Sequence, residues 1–174
     1  MKKLRIILAA LALVAGLGLA VPGPASAAPY CGITWGSLTK SGGTLTTAAI
    51  ANVRAGQQSC YDRLVIDING SGAGYIVGYV NAVHAEGSGK LIPLRGGAFL
   101  NVTVLAPSAF TPANPKEMVN VKGFKAFRQV AYAGSFESHT GVGVGVRARL
   151  PFRVFTLAGP GSHSRLVIDV AHYW

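Results

Sequence analysis

Acidic residues are scarce in this sequence, which has six of them against 16 basic residues in a chain of 174. The scarcity leaves little for a glycosidase, which needs two carboxylates, although Glu86 with Glu137 remains a candidate pair. The catalytic patterns G-x-S-x-G, H-E-x-x-H and the Walker loop are absent. His84 with Glu86, and His139 with Glu137, would each supply only two metal ligands, fewer than zinc needs. We therefore expect no catalytic residue, no metal site and no cofactor.

Long apolar runs are also scarce, and the single one lies near the start of the chain. Three basic residues precede the run at 6–21, and the small residues 25–27 follow it. This order is typical of a secretory signal peptide. The run is shorter than the about 20 apolar residues that a membrane-spanning helix needs. We expect residues 1–27 to be cleaved, leaving a secreted or extracytoplasmic domain at 28–174 with no membrane span.

Cysteine is limited to Cys31 and Cys60, both within the expected mature domain. Two cysteines in an exported chain most often pair. A disulfide between them would close a loop of about 30 residues and contribute about 3.5 kcal/mol in the chain-entropy model. The alternative is a reactive thiol, as in a cysteine hydrolase. We predict the disulfide, which would join the N-terminal arm to the first strong strand.

Helix signals are weak throughout the mature region. Val, Ile, Thr, Phe and Tyr recur there in short runs that Gly, Pro, Asn and Ser interrupt. This pattern predicts an all-β fold, mainly an antiparallel β-sandwich, with one or two short helical turns.

The pentapeptide R-L-V-I-D occurs twice, at 63–67 and at 165–169. On a strand, alternation places its leucine and isoleucine on one face and its arginine and aspartate on the other. We predict two equivalent central strands whose opposite charges pair across the sheet. A direct binding role for the charged residues is the alternative. The predicted structural ion pairs involve Arg63, Asp67, Arg165 and Asp169.

Three glycines, Gly141, Gly143 and Gly145, alternate with valines. A strand of this kind has one apolar face and one bare backbone face. The bare face indicates close packing or strong local twist. Alternatively, it is a flat platform that a ligand or a second chain approaches.

The expected mature domain carries thirteen basic and six acidic residues, a formal net charge of +7. A strongly basic surface favours anionic partners. Outside the cytoplasm these are anionic wall polymers, anionic lipid or the carboxylates of peptidoglycan. We do not expect nucleic acid as a partner.

Arg147, Arg149 and Arg153 recur at period two, so one extended strand would place them on a single face. Pro151 lies between them and is tolerated in a strand only at an edge or a bulge. Guanidinium groups bind carboxylates and phosphates in a forked geometry. Together with Tyr132 as a sugar-stacking surface, the three arginines are the predicted ligand-binding residues. The alternative is that they keep an edge strand soluble or pair with the two repeat aspartates.

Six segments that cover most of the mature chain also match a known pattern. They are Y-C-G-I-T-W-G-S-L at 30–38, C-Y-D-R-L-V-I-D at 60–67, P-L-R-G-G-A at 93–98, F-R-Q-V-A at 127–131, V-R-A-R-L-P-F-R-V at 146–154 and S-R-L-V-I-D-V-A-H at 164–172. These segments resemble those of secreted bacterial proteins with an AMIN-like domain. The resemblance implies an AMIN-like β-sandwich domain at 28–174.

The repeated R-L-V-I-D strand connects this family with AMIN domains proper. Those domains are non-catalytic β-sandwiches of two small sheets, which localise cell-wall amidases and secretion components at the envelope through peptidoglycan. The resemblance therefore implies an exported, non-catalytic module. Its partner would be a cell-wall glycan such as peptidoglycan, an anionic envelope polymer, or an envelope protein.

Two other functions stay open at this point. A secreted enzyme acting on cell wall or carbohydrate would need polar groups that converge in a deep pocket. A secreted protein-binding or inhibitor module would need a rigid protruding loop, for which residues 106–116 are the best candidate.

Overall fold

A computed structural model describes residues 28–174, and the predicted signal peptide at 1–27 lies outside the described residues. Regular structure in the described part consists of eleven strands and one turn of 3-10 helix at Tyr30–Gly32. None of its helical structure has the length and apolar character of a membrane span. The strands are β1 Lys40–Gly42, β2 Ile50–Gln57, β3 Tyr61–Ile68, β4 Gly74–Val80, β5 Val83–His84, β6 Leu91–Ile92, β7 Ala98–Leu105, β8 Phe127–Phe136, β9 His139–Val146, β10 Phe152–Ala158 and β11 Ser164–Ala171.

These strands form two antiparallel sheets and one small hairpin. The five-stranded sheet has the order β1-β4-β7-β9-β8, and the four-stranded sheet has the order β10-β11-β3-β2. The short strands β5 and β6 pair with each other. The predicted all-β sandwich is therefore confirmed.

The core lies between the two sheets and is built from their inward-facing aliphatic side chains. Leu64 and Ile66 of β3 and Leu166 and Ile168 of β11 are completely buried. Valines of β7 and β9 join them in one cluster. Burying a side chain of this size contributes about 1.5–3 kcal/mol relative to leaving it exposed. The alternation of apolar residues along each strand thus accounts for the sandwich.

The two R-L-V-I-D segments are neighbouring central strands. In the β3–β11 pairing, Arg63 lies opposite Asp169 and Arg165 lies opposite Asp67. Because side chains alternate along a strand, these charged residues occupy the outer face of the sheet while the leucines and isoleucines enter the core. The register therefore places each arginine directly opposite an aspartate of the neighbouring strand.

Cys31 and Cys60 form a disulfide, as predicted. Cys60 directly precedes β3, so the bond joins the N-terminal arm to a central strand. Trp35 of the same arm lies edge-on to Tyr61, with 5.6 Å between the ring centroids. The disulfide and this aromatic contact hold the arm against the four-stranded sheet.

The bare glycine face of β9 is covered by the chain itself. A Cβ atom at Gly145 would overlap the carbonyl oxygen of Arg95, and one at Gly143 would lie 2.9 Å from Leu94 Cδ1. The glycines therefore let the 83–97 segment approach the sheet closely. Close packing is confirmed, and the platform interpretation is wrong.

The chain crosses from one sheet to the other at residues 147–151. β9 ends at Val146 in the five-stranded sheet, and β10 begins at Phe152 in the four-stranded one. Pro151 has no N–H to give to a ladder, and pairing resumes at the next residue. Our expectation of one extended strand through Pro151 is therefore wrong.

Candidate functional site

The three arginines expected on one face are separated by this crossover. Arg147 and Arg149 lie in the bend, and Arg153 lies on β10. Arg147 donates a hydrogen bond to the carbonyl oxygen of His172, and its guanidinium lies 5.1 Å from the centroid of the Tyr173 ring. These contacts tie Arg147 to the segment that follows β11.

Arg149 is held by the N-terminal arm. Its guanidinium donates to the hydroxyl of Ser37 at 3.3 Å and to the carbonyl of Ser37 at 3.2 Å. The same group lies 5.0 Å from the centroid of the Tyr79 ring. Arg147 and Arg149 thus fasten terminal segments, and the predicted arginines do not form a single surface.

Arg153 belongs to a charged cluster on the outer face of the four-stranded sheet. Its Nε donates to Asp169 Oδ2 at 2.8 Å, and Arg63 Nε donates to Asp169 Oδ1 at 2.6 Å. Asp169 is completely buried, whereas the side chains of Arg63 and Arg153 are 27% and 39% exposed. The hydrogen bond to Asp169 raises the pKa of Arg63 above its ordinary value. Trp35 covers Arg153, with its ring centroid 4.5 Å from the guanidinium.

Asp67, the aspartate of the first R-L-V-I-D segment, has a different partner from the one we expected. Asp67 accepts hydrogen bonds of 2.9 and 3.0 Å from Arg54 of β2. Arg165, although opposite Asp67, donates instead to the carbonyl of Ala158 at 2.6 Å. Because β3 has a neighbour on each side, Asp67 is within reach of arginines from both. The predicted Arg165–Asp67 pair is therefore replaced by Arg54–Asp67.

Tyr132, the fourth predicted ligand-binding residue, lies in a groove along β8. We call this the apolar groove; its volume is about 530 Å³. One wall is the 90–95 segment, and the other is formed by Pro115 and Lys116. Gln129, Ala131 and Tyr132 of β8 complete the lining.

A second groove, of about 680 Å³, is lined by Arg95, Glu117, residues 120–124, Phe127 and Arg128. We call it the basic groove. Arg95 lines both grooves.

The buried side chain of Gln129 fixes the backbone between the two grooves. Its Oε1 accepts a hydrogen bond from the N–H of Arg95 at 2.8 Å, and its Nε2 donates to the carbonyl of Lys116 at 2.9 Å. One amide therefore sets the spacing between the walls.

A buried carboxylate positions the wall of the basic groove. Asp62 Oδ2 accepts hydrogen bonds from the backbone N–H groups of Ala126 and Phe127, at 2.6 and 2.9 Å. Its Oδ1 lies 2.9 Å from His172 Nε2. Asp62 and His172 are both completely buried. The central strand β3, supported by the segment that follows β11, thereby fixes the turn that leads into β8.

The charge of the basic groove comes mainly from its 116–128 segment. Glu117 is the single carboxylate among the described residues that line this groove, and its Oε1 lies 2.5 Å from Arg95 Nη1. The hydrogen bond to Glu117 raises the pKa of Arg95. Since this pair is neutral overall, the net charge of the lining comes from Lys122 and Arg128. Lys125, which is exposed, lies in the same turn.

Residues 106–116, our candidate for a protruding inhibitor loop, lie against the domain. Phe110 packs on the core. Pro115 accepts a hydrogen bond from the N–H of Tyr132 at 2.7 Å, and just beyond the loop the N–H of Met118 donates to Val130 at 2.8 Å. The segment therefore covers the edge of β8 and does not project as an inhibitor loop would.

Sequence reasoning missed the basic groove. Lys122 lies in a segment without helix or strand and Arg128 lies at the start of β8, so no single periodic pattern groups them. The available signal was the density of basic residues at 116–128, where Lys116, Lys122, Lys125 and Arg128 accompany a single acid.

The remaining candidate chemistry is metal binding. Within residues 28–174, no three His, Cys, Asp or Glu side chains come together in a way that would hold a metal ion. Fold and grooves together define a two-sheet β-sandwich domain with two open grooves on its surface.

Residues 48–172 match the model of the AMIN-like domain. Because the match covers more than half of the chain, the protein belongs to the AMIN-like domain family. Domains of this family are extracytoplasmic and, in general, non-catalytic binding modules. The match begins after the 30–38 segment, so Cys31 lies outside it and Cys60 within it. No curated protein matches the chain.

Proposed function

We propose that the protein is an exported, non-catalytic module that binds an anionic cell-envelope polymer through the basic groove. The observation that carries this proposal is the composition of the lining. Lys122 and Arg128 add net positive charge, and Glu117, the single carboxylate among the described lining residues, is already neutralised by Arg95. Phosphates of a wall polymer or carboxylates of peptidoglycan have the complementary charge.

The arrangement of the wall supports this function. Arg128 Nη1 donates to the carbonyls of Phe124 and Phe127, both at 2.9 Å, which holds the turn that carries Lys122. Asp62 fixes the same turn from below. A fixed turn loses little conformational freedom when a ligand binds, which favours affinity.

Exposed charge pairs contribute about 0.2–1 kcal/mol each, so the affinity must come from several contacts along a polymer. Such binding weakens as salt rises, because mobile ions screen exposed charges. A long polyanion offers many equivalent contacts, which compensates for the weakness of each one.

The test is co-sedimentation of the mature protein with isolated cell walls at about 50 and about 300 mM salt, a range over which screening increases. Walls that retain their anionic polymer are compared with walls reduced to peptidoglycan. Replacing two lysines of one turn, Lys122→Gln with Lys125→Gln, should weaken binding about two- to thirtyfold. The comparison of walls identifies which anion is bound.

The matched control removes two positive charges elsewhere, by Arg54→Gln with Arg149→Gln. This variant should bind walls nearly as the parent does, because neither residue lines the basic groove. Equal losses in both double variants would show a non-specific charge effect and reject the groove. Absence of binding by the parent protein at low salt would reject the function itself.

A further inference from the structure

The apolar groove has a composition that polymer binding does not explain. Leu91, Ile92, Pro93 and Leu94 form an apolar wall, and Ala131 and Tyr132 of β8 also line the groove. Leu91 is 53% exposed, a large fraction for a leucine. A volume of about 530 Å³ lies within the range of about 300–1,000 Å³ of small-molecule sites.

Cations surround this apolar surface. Lys90, Arg95 and Lys116 line the groove, and no Asp or Glu of the described residues does. Arg95 is paired with Glu117, whereas neither Lys90 nor Lys116 forms an ion pair in the described part of the chain. The groove therefore combines an apolar interior with two exposed ammonium groups.

An extended peptide would find the β8 edge of this groove already occupied. Peptides that bind along a strand edge obtain affinity from main-chain hydrogen bonds. Along β8, the N–H of Tyr132 is bonded to Pro115 and the carbonyl of Val130 is bonded to Met118. An alkyl chain needs no hydrogen bonds, and each buried CH₂ contributes about 0.8 kcal/mol.

We propose that the apolar groove binds a single-chain anionic lipid. The alkyl chain lies along Leu91, Ile92 and Leu94, and the anionic headgroup contacts Lys90 and Lys116. This binding does not depend on the polymer proposal, because Arg95 is the one residue in the described part of the chain that lines both grooves.

The test is calorimetric titration of the mature protein with monomeric dodecyl phosphate, below the concentration at which it forms micelles. Glycerol phosphate supplies the anion without the chain, and dodecyl maltoside supplies the chain without the charge. Dodecyl phosphate should bind with a negative heat-capacity change, the signature of apolar burial. Glycerol phosphate should bind at least about tenfold more weakly, because it lacks the chain. Dodecyl maltoside should bind about two- to thirtyfold more weakly, because it lacks the charge that contacts the two lysines.

Two variants locate the site. Leu91→Asn should weaken dodecyl phosphate about five- to tenfold, because it removes apolar contact from the wall. The matched control is Leu45→Asn, since Leu45 is 54% exposed and does not line the groove. Lys90→Gln with Lys116→Gln alters only exposed side chains and should weaken binding without unfolding the domain.

The lysine pair of the other groove separates this proposal from the first. Lys122→Gln with Lys125→Gln should leave dodecyl phosphate binding unchanged while it weakens polymer binding. Glycerol phosphate binding as tightly as dodecyl phosphate would overturn the lipid assignment in favour of a phosphate site. Equal effects of Leu91→Asn and Leu45→Asn would also overturn it.

Discussion

Arg63 of β3 and Asp169 of β11 are joined by two hydrogen bonds, of 2.6 and 2.9 Å, although 106 residues separate them in the sequence. The carboxylate of Asp169 is completely buried and also accepts a bond from Arg153. A buried charge is tolerated when partners surround it, and removing one partner leaves the others uncompensated. The guanidinium groups of Arg63 and Arg153 can therefore lie close together because Asp169 compensates their charges.

Asp169→Asn should lower the free energy of unfolding by about 2–4 kcal/mol, somewhat less than for a fully buried pair because both arginines reach solvent. Urea denaturation followed by circular dichroism measures the change. The control is Asp67→Asn at the equivalent repeat position, where the partner Arg54 is half exposed and the loss should be about 0.5–1 kcal/mol. Equal losses of stability at the two positions would contradict the idea that the burial of Asp169 makes its ion pairs the more important ones.

Tyr79 anchors the crossover between the sheets. Its hydroxyl donates to the carbonyl of Leu150 at 2.8 Å and accepts from the N–H of the same residue at 2.9 Å. Tyr79→Phe should cost about 1–3 kcal/mol, because both backbone groups lose their partner. Thermal unfolding should show a lower midpoint, with Tyr75→Phe as the control; no change at Tyr79 would mean that water replaces the hydroxyl without loss.

The same residue should give the protein a sensitivity to high pH. Burial raises the pKa of Tyr79 from 10.0 to about 12. Because the folded state holds the proton more tightly than the unfolded state, this contribution to stability is complete below pH 10 and declines as pH rises toward 12. Urea midpoints measured between these values should fall more steeply for the parent than for Tyr79→Phe. Parallel curves would refute the assignment to Tyr79.

Gly145→Ala should destabilise the protein, because a Cβ there would overlap the carbonyl oxygen of Arg95 and displace the 94–97 segment. We expect a cost of about 1–3 kcal/mol, as for other overpacked sites. Gly56→Ala is the control, since its Cβ would meet only Gln58 Nε2 at 3.7 Å. Chemical denaturation of both variants makes the comparison, and a neutral Gly145→Ala would mean that the segment yields freely.

Replacing Cys31 and Cys60 together with serine should lower the free energy of unfolding by about 3.5 kcal/mol. This is the free energy that the chain-entropy model assigns to closing a loop of this length. Neither cysteine lines a groove, so the folded variant should still bind walls and lipid when it is assayed at low temperature. Mass spectrometry of the parent protein without reduction should identify the linked peptides. Two free thiols in freshly prepared protein would contradict the bond.

The core strands were predictable from sequence because their information is local. In each R-L-V-I-D segment, the alternation of side chains alone assigns the leucine and isoleucine to the core face. Because the composition predicts an all-β fold, the two copies are expected to be equivalent strands. The choice of partner was not predictable in the same way. Asp67 lies between two strands, and the competition of Arg54 with Arg165 depends on a register that no single segment contains.

The candidate site was harder to predict for a related reason. The 146–154 segment has a clean period of two, yet the chain changes sheets at Pro151, so Arg147 and Arg153 belong to different elements. The grooves are assembled from the 90–95 segment, the 115–128 segment and β8. Tyr132 was identified from its residue type, but its neighbours come together only through tertiary contacts.

The covering of β8 by the 115–118 segment also bears on self-association. β8 is the last strand of its sheet, and its outer edge is bonded to Pro115 and Met118 of the same chain. An uncovered edge is a template for pairing with another molecule. The segment that forms one wall of the apolar groove therefore also occupies the edge along which β8 could pair with another molecule. A change that detached it would appear in sedimentation as oligomers whose abundance grows with protein concentration.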